Sequence, residues 1–239
     1  MIERHLMKLR RRVVLSDEEE QAIRAAVSEC RDVPADRTVI RANEELQHST
    51  LLLDGFMARY KDLRSGHRQI TELHVAGDFV DLHSFTLKRL DHAVMSLSPC
   101  RIAIVPHENL RRITEQHPRL TRIYWFATNM DAANHREWAF SLGRRDARGK
   151  LAALFCELQI RLEIVGLGDD QSNALPLTQT DIAECMGLTN IHVNRTLKQL
   201  REEQLVDFQG GRVTILDHAG LRRVGEFDPS YLYLDPHDP

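Results

Sequence analysis

The sequence lacks any long apolar run. Although 42% of its 239 residues are hydrophobic, no segment approaches the length that a membrane-spanning helix needs, about 20 consecutive apolar residues. The opening stretch, MIERHLMKLRRRVVLSDEEE, is too highly charged to contain the apolar segment of a signal peptide. These two absences predict a cytoplasmic protein with no membrane association.

Cysteine is scarce and scattered. The four cysteines are Cys30, Cys100, Cys156 and Cys185, and none forms a C-x-x-C pair. A disulfide framework or a zinc site needs clustered cysteines, so we expect neither. Cys185 falls within a predicted helix described below. An exposed thiol there would offer a redox switch, whereas a buried one would be a small packing residue.

The sequence also lacks a strong charge of either sign and any catalytic signature. Lys and Arg total 32 against 35 Asp and Glu, which gives a formal net charge of -3. Affinity for nucleic acid would therefore have to come from a local patch, since total charge provides no strong attraction. We find no nucleophile motif, phosphate-binding loop or carboxylates grouped near a histidine, so we do not expect an enzyme.

Residues 178–205 predict two short helices joined by a tight turn. Thr178 and Asp181 match the N-cap-plus-acid pattern that satisfies the free amides of a first helical turn. Gly187 ends this helix because glycine adopts the left-handed conformation at little cost. Thr189 then caps a second helix. The apolar stripe of that second helix comprises Val193, Leu197 and Leu200.

The opposite face of the second helix indicates DNA binding. At about 100° per residue, Ile191, Arg195 and Lys198 point away from the apolar stripe. Arginine forks onto guanine, asparagine pairs with adenine and lysine neutralises phosphate, while an exposed isoleucine suits a thymine methyl group. An ordinary amphipathic helical hairpin is the alternative. The spacing of capped helix, glycine turn and capped helix favours a DNA-binding helix-turn-helix.

A β-hairpin is predicted directly after the second helix. Residues 205–208 and 212–215 alternate in polarity around Gly210 and Gly211, which is typical of a hairpin and, at this place, of the wing of a winged helix. Asp217 is predicted to cap a short closing helix that ends near Val224. The residues predicted to contact DNA are Thr178, Thr189, Asn190, Ile191, His192, Asn194, Arg195, Lys198 and Arg212.

Residues 175–216, LPLTQTDIAECMGLTNIHVNRTLKQLREEQLVDFQGGRVTIL, resemble the DNA-binding domain of the Crp/Fnr transcription regulators, the relatives of the cyclic-AMP receptor protein. The opening L-T-x-x-D-I-A, the G-L-T turn, the V-x-R-x-L core and the glycine-containing hairpin occur in the family's order. The resemblance implies that Arg195 reads a base. Ile191 stands where many members carry a base-reading glutamate and Asn190 where some carry an arginine, so their operator sequence is not expected here.

The N-terminal half predicts a small antiparallel β domain. A helix from Ser16 to about Cys30 precedes short strands that are separated by turn signals between residues 38 and 106. The resemblance implies that this segment is a jelly-roll effector domain related to cyclic-nucleotide-binding domains. Its run GDFVDLHSF, residues 77–85, resembles the start of the phosphate-binding cassette of that domain.

The cassette departs from the pattern that binds cyclic AMP. Members that bind it carry an Arg-Ser pair where this chain has Leu90, Asp91 and His92, so an anionic side chain would face the phosphate. Lys88 or Arg89 would supply a cation only in a shifted alignment. We therefore expect no dependence on cyclic AMP, and the effector, if there is one, is not identified.

Metal-dependent sensing is not expected either. Three equally spaced histidines, His74, His83 and His92, would suit a metal or haem, but twelve histidines are spread along the whole chain. Some members of the resembled family hold an iron–sulfur cluster through cysteines grouped near the N-terminus, and no such group occurs here. No cofactor is therefore expected.

The central segment predicts a long helix from Pro118 to about Leu142. A stripe at steps of three and four, the spacing of a coiled coil, predicts a partner surface, and the resemblance implies the helix that joins two subunits. We further expect Trp125, Phe126 and Trp138 to pack on the β domain. The predicted dimer-interface residues are Leu120, Ile123, Ala127, Met130 and Asn134.

These observations predict an α+β protein with an N-terminal antiparallel β jelly-roll, a long dimerisation helix and a C-terminal winged helix-turn-helix. The expected domains are 1–117, 118–142 and 146–239, with residues 142–145 as a hinge. The predicted function is a homodimeric transcription regulator that binds an inverted repeat in double-stranded DNA and contacts RNA polymerase. The alternative is a small-ligand- or thiol-redox-sensing module whose winged helix serves protein–protein contacts.

Overall fold

A computed structural model of the chain describes residues 1–169 and 171–236. The chain divides into two compact units. The first contains residues 1–60, residues 73–133 and the tail from Tyr233, and the second contains residues 61–72 and 134–232. Within the described residues, no helix is both long and apolar enough to cross a membrane.

The N-terminal part of the chain forms two antiparallel sheets and four helices. One sheet has the strand order β1-β7-β3 and the other the order β2-β6-β4-β5. The elements are, in chain order, α1 (Glu3–Arg10), α2 (Asp17–Ala25), β1 (Glu29–Val33), β2 (Thr38–Ile40), β3 (His48–Asp54), β4 (Phe56–Asp62), β5 (Arg68–Val75), α3 (Ser84–Leu87), β6 (Ala93–Ser96), β7 (Cys100–Pro106) and α4 (His107–Gln116).

Alternation along β3 builds two apolar cores in the first unit. Leu51 and Leu53 pack with the helices, whereas Leu52 faces the other sheet, because successive side chains of a strand point to opposite faces. Strand β7 divides in the same way, with Ile102 and Ile104 facing the other sheet. The antiparallel β domain expected from the short alternating runs is therefore present.

Two features at the N-terminus differ from the expectation. Helix α1 was not expected, and it places Leu6 in the core at 0% exposure. Helix α2 begins after the Ser16 cap as expected but ends at Ala25, and Cys30 lies in β1 instead. Strand β1 is held by pairing with β7, which is a long-range contact that local helix signals cannot reveal.

Helix α1 is fixed through a buried histidine. His5 Nδ1 donates to the carbonyl oxygen of Gly77 at 2.9 Å, and its ring lies between Phe79 and Tyr124. Burial lowers the pKa of His5 to about 4, so the ring is neutral at physiological pH. The start of the cassette is thus tied to the N-terminal helix.

The long helix α5 spans Pro118–Arg144. Two residues of the expected partner stripe are not available to a partner, since Leu120 and Ile123 are 0% and 2% exposed and belong to a core of the chain itself. Trp125, which was expected to pack on the β domain, is instead 68% exposed. Spacing in the sequence does not reveal which side of this helix packs against the rest of the chain, because that depends on tertiary packing.

The second unit contains the remaining elements. They are α6 (Ala147–Ile164), β8 (Ser172–Ala174), α7 (Gln179–Met186), α8 (Asn190–Glu202), β9 (Val206–Gln209), β10 (Arg212–Ile215) and α9 (His218–Gly225). A short 3-10 helix, Pro229–Leu232, follows α9. Strand β8 was not expected. It joins the hairpin as a third strand in the order β8-β10-β9.

A buried carboxylate organises the core of the second unit. Glu157 on α6 is 2% exposed and accepts hydrogen bonds from Trp138 Nε1 at 3.0 Å, Tyr231 Oη at 2.8 Å and Arg161 Nη1 at 2.8 Å. These donors compensate for the loss of hydration. Trp138 was expected to pack on the β domain, but it packs in this unit instead.

Candidate nucleic-acid interface

The first helix of the predicted helix-turn-helix, α7, starts with a capping box. Asp181 N donates to Thr178 Oγ1 at 3.1 Å, and Thr178 N donates back to Asp181 Oδ2 at 2.7 Å. Gly187 ends the helix with φ +61°, a conformation that glycine adopts without steric cost. All three positions agree with the sequence prediction.

The end of α7 is held by donors that the sequence did not reveal. Gln69 Nε2, in the segment 61–72, donates to the carbonyl oxygens of Glu184 at 2.7 Å and Cys185 at 3.1 Å. Lys150 Nζ donates to Met186 O at 3.2 Å. These side chains satisfy carbonyl groups that have no partner at a helix C-terminus. No local pattern signals such contacts, because the donors are distant in sequence.

The second helix, α8, buries the predicted stripe. Thr189 Oγ1 accepts from His192 N at 3.3 Å and so caps the helix. Val193 and Leu200 are 0% exposed, and Leu197 is 9% exposed. This packing fixes which face of α8 remains in solvent.

The exposed face of α8 carries the predicted base-contacting residues. Ile191 is 80% exposed, and Arg195 is exposed with no hydrogen bond or ion pair to the described residues. Lys198 Nζ lies 3.7 Å from Glu202 Oε1, a loose pair between two exposed side chains. The His192 side chain is also exposed. The structure therefore brings a free guanidinium and an exposed aliphatic group onto one face.

Two asparagines on the flank of α8 differ from Arg195 in that each is hydrogen-bonded to another helix. Asn190 Nδ2 donates to Thr180 Oγ1 at 3.0 Å, and Asn194 Nδ2 donates to Gln179 Oε1 at 3.3 Å. Both partners lie in the first turn of α7. Both asparagines were predicted to contact DNA, but each is already hydrogen-bonded to the preceding helix.

The wing is a three-stranded sheet. Gly210 and Gly211 form its turn with φ of +58° and +71°. Arg212 is exposed beside this turn, and its Nη1 donates to Ser172 Oγ on β8 at 3.0 Å. The predicted cation is therefore present, in contact with β8, the strand that was not expected.

Cys185 is not placed for thiol chemistry in this structure. It is 0% exposed, and burial raises its pKa well above the ordinary value, so the thiolate that reacts is disfavoured. The packing alternative considered for this residue accounts for its position.

Buried ionisable side chains contact or belong to the cassette of the first unit. Arg59, 2% exposed, donates through Nε to Val80 O at 2.8 Å and through Nη1 to Asp131 Oδ2 at 2.6 Å. Asp81 is 0% exposed and accepts from the backbone of Thr50, and burial raises its pKa to about 7. Buried ionisable groups of this kind hold one another and the cassette backbone.

The cations near the expected phosphate position have other partners. Arg89 Nη2 donates to Glu45 Oε2 at 2.6 Å, and its Nη1 donates to Asn43 O at 3.0 Å. Lys88 Nζ lies 3.4 Å from His107 Nδ1. Asp91 is exposed, with its Oδ1 3.0 Å from His92 Nδ1.

A β domain, a long helix and a capped helix-turn-helix with a small wing sheet define a DNA-binding transcription regulator. Family comparisons agree. Residues 149–224 match the Crp-like helix-turn-helix domain, and residues 30–117 match the cyclic nucleotide-binding domain. The chain belongs to the Crp/Fnr family of transcription regulators, whose members are not enzymes. The predicted α+β fold class is confirmed.

Individual relatives span most of the chain. The nitrogen fixation regulation protein FixK of Bradyrhizobium diazoefficiens is 30% identical over 173 residues, which cover 70% of this chain and 70% of the relative. The fumarate and nitrate reduction regulatory protein of Vibrio cholerae is 25% identical over 183 residues, covering 77% and 73%. The structure of FixK2 from Bradyrhizobium japonicum has the same fold, with a TM-score of 0.76 at 23% identity, covering 83% of this chain and 97% of that chain.

Proposed function

We propose that this regulator acts as a homodimer that reads an inverted repeat in double-stranded DNA without requiring cyclic AMP. The observation that carries the proposal is the exposed face of α8, where Arg195 is free of partners among the described residues and Ile191 is 80% exposed. A free guanidinium on an anchored helix is suited to the O6 and N7 acceptors of guanine in the major groove.

The other proposed contacts are of two kinds, to DNA bases and to DNA phosphates. Ile191 meets a thymine methyl group, and Lys198 with Arg212 neutralises phosphates. Thr178 and Thr189 stand at the N-termini of α7 and α8, where free amides and the helix dipole favour a phosphate oxygen. His192 lies beside Ile191 on the exposed side and supports the same groove contact.

The dimer surface is assigned to the exposed side of α5. Trp125, Asn129, Ala132 and Arg136 are all exposed and follow one another at steps of four, three and four, the spacing of a coiled-coil seam. Of the residues expected earlier, Ala127 and Met130 remain half-buried and accessible at its edge. A second copy packed there would bury the tryptophan and relate two α8 helices by a two-fold axis.

Independence from cyclic AMP is supported by the cassette. Arg89, one of the two cations that could hold the phosphate in a shifted alignment, is bound to Glu45 and to a backbone carbonyl, while Asp91 adds a negative charge nearby. An anionic nucleotide would have to displace these contacts and overcome that charge. Residues 1–117 are thus assigned to a sensor of another or no ligand, 118–142 to dimerisation and 146–239 to DNA binding. Contact with RNA polymerase would then decide the regulatory outcome.

Selection of duplexes from a random library by the full chain tests the proposal, with and without cyclic AMP. The expected result is an inverted repeat whose half-site centres are about 34 Å apart, unchanged by the nucleotide. Light scattering of the same sample should give the mass of two chains, and a Trp125→Glu variant should give one. Recovery of no preferred sequence would remove the proposal. A repeat recovered only with cyclic AMP would remove the nucleotide-independent part.

A further inference from the structure

Asn190 and Asn194 occupy a different row of α8 from the residues assigned to base contact. They are separated by one helical turn and lie on the flank that faces α7, where they contact Thr180 and Gln179. Ile191 directly follows Asn190, and Arg195 directly follows Asn194. The second pair therefore lies about 100° further round the helix than the first. Both rows are exposed, but only the asparagine row is hydrogen-bonded to α7.

The hydrogen bonds to α7 conflict with base reading by the asparagines. An asparagine that recognises adenine uses both its amide nitrogen and its amide oxygen, one for each of two adenine atoms. Here one of those two groups in each side chain is already engaged. The conclusion does not depend on how each amide is oriented, because a hydroxyl or a second amide offers both a donor and an acceptor.

We propose that Asn190 and Asn194 are positioning residues, which lock the recognition helix α8 onto α7, and that direct base reading on this face falls to Ile191 and Arg195. The inference rests on the proposed DNA binding and specifies how its sequence preference arises. Because Ile191 offers only an apolar contact, the half-site contains a thymine that is recognised by its methyl group.

The first test is a pair of double-mutant cycles measured by fluorescence anisotropy with the selected duplex. Asn194→Ala and Gln179→Ala should each weaken binding about fivefold, corresponding to one hydrogen bond, and the double variant should bind no more weakly than the weaker single variant. The cycle of Asn190→Ala and Thr180→Val should give the same result, with similar losses for the two single variants and no further loss in the double variant. Thr180→Ser keeps the hydroxyl and should retain wild-type affinity.

Additive losses in both cycles would overturn the positioning role, because they would show that each residue contacts DNA independently. Gln199→Ala is a matched control on the same helix, since Gln199 is exposed and its side-chain amide donates to Glu203 and not to α7. Its affinity should equal that of the wild type. Thermal melting of every variant checks that loss of binding does not reflect unfolding.

The second test examines sequence preference. Replacing each thymine of the half-site by deoxyuridine removes only a methyl group, and at one position this should weaken wild-type binding about fourfold, the effect of one buried methylene. Ile191→Ala should abolish that difference, whereas Asn194→Ala and Asn190→Ala should keep it while binding all duplexes more weakly.

The outcomes separate this inference from the proposed function. A selective loss of discrimination at one base pair in Asn194→Ala or Asn190→Ala would overturn the positioning role while leaving DNA binding intact. A deoxyuridine scan without any effect would remove the methyl contact of Ile191. If the wild-type chain bound specific and scrambled duplexes equally, the proposed function itself would fail, which the double-mutant cycles do not test.

Discussion

Arg59 in the first unit and Arg195 in the second are the same side chain in opposite situations. Arg59 is 2% exposed and bound to Val80 and Asp131, whereas Arg195 is exposed and has no partner among the described residues. A buried charge must find partners inside the chain, since leaving water is costly. A solvated charge can remain available for a second molecule at little cost. Arg59 is therefore engaged within the fold, whereas Arg195 is available to a second molecule.

The largest effect expected from this contrast is on stability. Arg59→Leu should lower the free energy of unfolding by about 3 kcal/mol, because it leaves the Asp131 carboxylate without its buried partner. Urea unfolding followed by circular dichroism measures the change. Arg89→Leu removes an exposed ion pair with Glu45 and should cost less than about 1 kcal/mol. Equal losses would show that burial does not distinguish the two arginines.

The reverse pattern is expected for the recognition helix. Arg195→Ala should weaken binding to the specific duplex by about 1–3 kcal/mol without lowering the melting temperature, since it removes a contact to DNA and no hydrogen bond or ion pair with the described residues. Anisotropy titrations at fixed salt measure the loss. Arg101→Ala, an exposed arginine on β7, is the control and should bind normally. A variant that binds specific DNA as well as wild type would exclude Arg195 as a reader.

The buried Asp81 predicts a pH dependence of stability. Burial raises its pKa from 3.8 to about 7, so the folded protein keeps a proton that the unfolded chain releases between these values. Stability should therefore fall as the pH rises from about 4 to about 7. Asp81→Asn removes this titration, and its stability relative to wild type should be greater at pH 8 than at pH 5 by more than about 1 kcal/mol. Urea unfolding at both pH values measures the difference. An unchanged difference would mean that Asp81 is ionised throughout.

The smallest expected effect concerns the helix that joins the two regions. Gly143 lies inside α5, where an added Cβ meets no atom within 4 Å. Gly143→Ala should stabilise the protein by about 0.5–1 kcal/mol, because alanine loses less backbone entropy in a helix. DNA affinity should stay the same if the segment acts as rigid helix. Weaker binding by a more stable variant would instead support the hinge expected at residues 142–145.

The parts of the molecule that could be predicted are those with local causes. The caps Thr178 and Thr189, the Gly187 turn and the stripe through Val193 each depend on residues within one or two helical turns. Features that depend on contacts between residues distant in sequence could not be predicted. Helix α1 and strand β1 are held by distant partners, and sequence spacing alone did not tell which side of α5 faces its own core.

The same limit applied to the candidate site. Composition and spacing placed Asn194 and Arg195 together on one helix as potential base readers, but only the three-dimensional contact with Gln179 separates them. Likewise, a redox switch at Cys185 would require an exposed thiol, and its position in the sequence does not reveal exposure. The side chain is buried and packs in the core.

The third strand of the wing has a consequence for the energetics of complex formation. With β8 paired to β10 and Arg212 held by Ser172, the loop end of this small sheet is already ordered before it meets a partner. Binding therefore costs little conformational entropy in the wing. More of the favourable free energy of each contact then contributes to the affinity. For a flexible two-stranded hairpin, the entropic cost of ordering the hairpin on binding would offset part of that favourable free energy.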